Sequence, residues 1–143
     1  GWVWLQQGNT AVAIGHLEEA LKANPGYATA LAHMGIARNL QGKFSESMDY
    51  FQRAITLNPS DPDIRVNVGV TLRLRGRLSE SIGHFQEALR LRPRNVEACY
   101  GIGMALLEQG RLSEATTHFQ RALKFNPQFG PARLIMEQIT EKR

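Results

Sequence analysis

The sequence predicts an all-α fold, a solenoid of antiparallel helix pairs. Three observations carry that prediction: residue types that recur every 34 positions, apolar residues at helical spacing, and glycines and prolines where each helix must stop.

The period comes first. Pro25, Pro59, Pro93 and Pro127 stand 34 apart, and so do Ala20, Ala54, Ala88 and Ala122. Two glycine series share the step, Gly1, Gly35, Gly69, Gly103 and Gly8, Gly42, Gly76, Gly110, as do Leu17, Phe51, Phe85 and Phe119. Five columns in one register exclude chance composition.

Each unit reads as two helices. Leu31, Met34, Ala37 and Leu40 recur at helical spacing between Tyr27 and Gln41, and Gly42 ends that helix as a glycine just past a C-terminus does. Ser45 stands where an N-cap is expected, with Ser79 and Ser113 repeating it, and Met48, Phe51, Ile55 and Leu57 continue a second amphipathic helix. Pro59 stops it. Gly35, Gly69 and Gly103 fall in mid-helix, where glycine costs about 1 kcal/mol against alanine. A cost repeated in register implies a partner helix too close for a Cβ, with Ala54, Ala88 and Ala122 small on the facing helix and Phe51, Phe85 and Phe119 filling the gap.

The eight positions Cys99, Ile102, Gly103, Leu106, Ala115, Phe119, Ala122 and Pro127 resemble the tetratricopeptide repeat, and the match covers essentially the whole chain. Unit 28–61 departs at Arg38 and unit 62–95 at Arg65. The resulting phase expects one domain: a partial repeat over 1–27, full repeats at 28–61, 62–95 and 96–129, and a capping helix over 130–143. In that last helix Glu137 replaces the packing glycine, and Gln138, Glu141, Lys142 and Arg143 supply a wettable outer face.

The resemblance implies a right-handed superhelix whose first helices line a concave groove for a peptide or a partner's helix. It places groove residues at the second, fifth, sixth, ninth, twelfth and thirteenth positions of each repeat. The fifth positions are Ala32, Val66, Tyr100 and Leu134, and the ninth are Trp2, Ile36, Val70 and Met104. The sixth are His33, Asn67, Gly101 and Ile135, and Asn39, Arg73 and Glu108 add polar points further along. Two apolar columns on a reachable face point to a protein ligand, although the same residues could serve as filling between first helices. The family's carboxylate clamp would fall on Ala32, Ile36, Asn67, Glu97 and Gly101, of which Asn67 alone fits, so chaperone-tail binding of that kind is not expected. The asparagine ladder of the sugar-transferase superhelices is missing too.

The formal charge of +4 is localised: unit 62–95 holds seven arginines against Asp63, Glu80 and Glu87. Arg73, Arg75 and Arg77 crowd one helix end and Arg90, Arg92 and Arg94 the next, where cations complement the helix dipole. An acidic segment of the partner is the next reading of this basic edge. Nucleic acid is poorer, because no aromatics interleave with the arginines.

Chemistry is not expected. His16, His84 and His118 share one repeat position, which sets them at least ~8–10 Å apart, too far for one metal ion. No catalytic constellation converges, and no cofactor is called for. Cys99 has no cysteine to pair with, so the compartment stays open, with a cytoplasmic setting favoured. Neither a signal peptide nor an apolar run of ~18 residues is visible. The chain begins at Gly1 without an initiator Met, as a fragment would, so the parent protein's targeting is undetermined.

The reading is therefore a scaffold or adaptor whose partner offers apolar anchors. Two rivals stay open. The first is an accessory domain of a larger enzyme such as a membrane glycosyltransferase, with Trp2 and Trp4 near the membrane interface. The second is head-to-tail self-association through an uncovered end.

Overall fold

The computed structural model describes residues 10–141, and every regular element among them is an α-helix. In chain order these are α1 (Thr10–Ala23), α2 (Ala28–Leu40), α3 (Phe44–Leu57), α4 (Pro62–Leu74), α5 (Leu78–Leu91), α6 (Val96–Glu108), α7 (Leu112–Phe125) and α8 (Gly130–Glu141). The chain divides into two compact units between Asn67 and Val68, within α4. In the first, α1 packs on α2 and α2 on α3; in the second, α5 packs on α6, α6 on α7 and α7 on α8.

Two kinds of turn make the pairs. At the end of α2 the chain closes a Schellman motif: Gly42 N–H donates to the Asn39 carbonyl at 2.9 Å and Lys43 N–H to the Arg38 carbonyl at 2.9 Å. Gly42 takes φ +79°, a conformation that costs glycine nothing, and Gly76 and Gly110 repeat the motif. The second turn follows from proline. Asn58, Arg92 and Asn126 each precede a proline, which disfavours helical backbone at the residue before it, and all three leave the helix at φ near −140°.

The second helices do not start where the serines suggest. Lys43, Arg77 and Arg111 occupy the N-cap positions, and none of them makes a side-chain cap bond. The reason is the tightness of the Schellman turn: the residue that closes one helix is already the cap of the next. Ser45, Ser79 and Ser113 therefore fall inside the first turn. A side-chain cap of the expected kind appears instead before α6, where the Asn95 side chain accepts from Ala98 N–H at 3.0 Å.

Phenylalanine rings fill the interior of each pair. Phe51, Phe85 and Phe119 are completely buried, as are Ala54, Ala88 and Ala122. A Cβ on Gly35 would lie 2.8 Å from the Phe51 ring, on Gly69 2.8 Å from Phe85, and on Gly103 2.6 Å from Phe119. It is thus an aromatic ring, rather than the facing helix backbone, that claims the space at the mid-helix glycines. Phe85 also presses on Gly101 of α6, where a Cβ would overlap it more closely still.

One further departure from the signature lies inside the first two pairs. Ser47 and Ser81 stand in the column of Ala115, and each is fully buried. Each hydroxyl donates at 2.6 Å to a mid-helix glycine carbonyl, Ser47 to Gly35 and Ser81 to Gly69. The pairing satisfies the buried hydroxyl and ties the two helices at mid-length.

Candidate functional site

The expected groove residues lie on the first helices of the pairs, and each unit is described separately. In the unit ending at Asn67, Ala32 is 1% exposed and Ile36 6%. Both lie in the interior and offer almost no surface, because α2 is packed against both α1 and α3. His33, Asn39, Val66 and Asn67 are half-buried and reach the surface in part. Burial lowers the His33 pKa below the ordinary imidazole value. Trp2 and Trp4 lie outside the described residues.

In the unit beginning at Val68, the corresponding residues are more open. Val70 on α4 and Met104 on α6 are half-buried, and Leu134 on α8 is 57% exposed. Tyr100 is half-buried and held on two sides, with its ring 5.8 Å from Phe119 and 5.5 Å from Phe129, the latter edge-on. Such aromatic contacts fix the direction of its ring. Gly101 does not belong to this surface: its Cβ direction runs into Phe85.

Arg73 and Glu108 meet. The Arg73 guanidinium lies 2.5 Å from the Glu108 carboxylate, joining the C-terminal ends of α4 and α6. The Arg73 side chain is 19% exposed and that of Glu108 38%. Sequence reading placed both on the groove but did not pair them. The spacing of 35 residues, one repeat and one residue, is the signal that could have done so.

The basic edge is largely engaged by its own chain. Arg77 pairs with Glu80 at 2.7 Å and Arg90 with Glu87 at 2.5 Å, both three residues apart on the helix surface. Arg94 sits over the Phe125 ring at 5.2 Å, a cation–π contact between the turn before α6 and the end of α7. Arg75 and Arg92 also have partners. The arginines thus act on neighbouring side chains as well as on helix ends.

Other features were not anticipated. An open depression of about 600 Å³ lies among Pro25, Asp49, Gln52, Arg53, Thr56 and Leu57, on the second-helix side of the first unit. Cys99 is buried against Ala122 and Ala132, and burial pushes its thiol pKa up. His118 is half-buried with Nδ1 unpartnered, and its pKa is lowered, first by burial and then by Arg121. Among the described residues no group of three or more His, Cys, Asp or Glu side chains could hold a metal ion. No helix among them is long and apolar enough to cross a membrane.

The family model described as tetratricopeptide repeat matches residues 1–62 and 69–128. No curated protein matches the sequence. Among solved structures, Pseudomonas aeruginosa pilF superposes with a TM-score of 0.85 at 23% identity, over 97% of this chain and 64% of that one. PilW, a type IV pilus biogenesis factor, gives 0.77 at 26% identity over 90% of this chain and 60% of its own. The first tetratricopeptide domain of Spaghetti (RPAP3), solved with an HSP90 peptide, gives 0.72 at 21% identity, over 80% and 91%. The chain thus spans somewhat less than two thirds of pilF and of PilW. With both halves of the sequence matched, the chain belongs to the tetratricopeptide repeat family, whose members are in general non-catalytic protein-interaction scaffolds.

Proposed function

We propose that this chain is a non-catalytic binding module that takes an apolar segment of a partner protein on its first-helix face. In this reading 28–61, 62–95 and 96–129 are full repeats, with a partial repeat over 1–27 and a capping helix over 130–143. The observation that carries it is the Val70–Met104 column: two apolar residues 34 apart, neither sealed in the interior, in the same unit as the exposed Leu134 and the braced Tyr100. Apolar surface left open at successive repeats costs a folded chain free energy until a partner covers it. Methionine and tyrosine are also residue types enriched in protein contacts.

The test is capture of partners from the native cell by the immobilised domain. Replacing Val70 and Met104 by Glu is expected to abolish capture while the far-ultraviolet circular dichroism stays helical. Undiminished capture by the double variant would place the binding surface elsewhere.

A further inference from the structure

We infer that Glu108 is a specificity determinant: by pairing with Arg73 it cancels the cation of the first-helix face in the second unit and turns that face against acidic ligands. The inference rests on the groove reading above and adds the chemistry of what the groove accepts.

Around the Val70–Met104 column the other expected contact residues of this unit, Tyr100 and Leu134, are uncharged. Arg73 is the cation among the expected groove residues there, and its side chain is four-fifths buried, so its field is poorly screened by water. Alone, it would draw a carboxylate to the end of the column. Its guanidinium is instead held by Glu108 from the neighbouring first helix at 2.5 Å.

An incoming carboxylate would have to displace Glu108 or lie beside it, and like charges at an interface are strongly disfavoured. Glu97, exposed at the start of the same helix, adds a second carboxylate. The occupant this arrangement fits is a segment with uncharged apolar anchors. Rejecting the wrong partner by a placed like charge is a recognised route to specificity. The net positive charge of the sequence would by itself suggest the opposite preference.

The experiment selects a random dodecapeptide display library on the immobilised domain and sequences the enriched pools. Wild type is expected to enrich apolar residues and deplete Asp and Glu. Glu108→Gln, which frees Arg73, is expected to raise the Asp and Glu frequency about fivefold over the wild-type pool, the scale of one charge at a partly buried site. Adding Arg73→Gln should remove that gain. The swap Arg73→Glu with Glu108→Arg rebuilds the pair in reverse and should keep the wild-type preference, which guards against a fold defect in the single variant. If Glu108→Gln and wild type enrich the same anchors with the same acidic frequency, the specificity role is overturned while the groove stands. If wild type enriches nothing that Val70→Glu with Met104→Glu removes, the groove reading falls and takes this inference with it.

Discussion

The hydroxyl of Ser81 donates to the carbonyl oxygen of Gly69 at 2.6 Å inside a helix pair sealed from water, and Ser47 stands in the same relation to Gly35. The third member of the column, Ala115, is equally buried but carries no hydroxyl. Each glycine carbonyl already accepts its intrahelical N–H, so losing the serine leaves nothing unsatisfied. A neutral hydrogen bond of this kind contributes about 1 kcal/mol net. Ser81→Ala is therefore expected to cost about 1 kcal/mol, and Ala115→Ser, by analogy with its two counterparts, to gain a similar amount. Urea unfolding reads both as opposite shifts of the midpoint at constant slope. A lower midpoint for Ala115→Ser would mean that the last pair has no room for the oxygen.

Two helix glycines should respond to alanine in opposite directions. Gly83 lies exposed on α5 with open space where a Cβ would stand, so Gly83→Ala recovers helix propensity of about 1 kcal/mol. Gly101 faces the fully buried Phe85 ring, which cannot move aside without disturbing Gly69 on the other helix. Overpacking of this kind costs about 1–3 kcal/mol, more than the propensity returns. Thermal unfolding of the two variants beside wild type checks the contrast: Tm should rise for the first and fall for the second.

That pair of glycines also marks where the sequence was legible and where it was not. The period, the helix pairs and the Gly42, Gly76 and Gly110 turns could be read because a proline or a positive φ restricts the residue type whatever surrounds it. The outward direction of individual first-helix residues could not. Gly101 and His33 share a repeat position, yet a Cβ on the first would run into Phe85 while the second reaches the surface in part. What decides is the side chain opposite, which local spacing does not encode. The serine caps failed for a related reason: Ser45 is a good cap residue, but the turn geometry had already given the position to Lys43. The meeting of Arg73 and Glu108 was legible in principle, since a spacing of one repeat and one residue sets opposite charges on successive first helices.

The ion pairs of the second unit should differ sharply in weight. Arg111–Glu114 and Arg77–Glu80 are about half exposed and three residues apart, so each is worth at most about 0.5 kcal/mol. Arg73–Glu108 is less exposed and joins two helices, so its loss should cost about 1 kcal/mol or more. Glu114→Gln is expected to leave the urea midpoint almost unchanged, and Glu108→Gln to lower it. Raising the salt concentration should narrow the difference in part, since the Glu108 side chain is 38% exposed and open to screening.

Acid should weaken the fold through two histidines. His33 and His118 both have pKa values lowered in the folded chain, by burial first, so the unfolded chain binds protons more readily. The stability linked to them is fully present above the ordinary imidazole value and is lost as pH falls from there through the lowered folded values. At His118 burial first and then the nearby Arg121 oppose the proton, and Glu114 offsets them only in part. Replacing both histidines by Gln is expected to flatten the fall in unfolding midpoint as pH drops from neutral through and below the ordinary imidazole value. The measurement is a urea series at several pH values on wild type and the double variant. Parallel pH profiles for the two proteins would assign the acid sensitivity to the carboxylates instead.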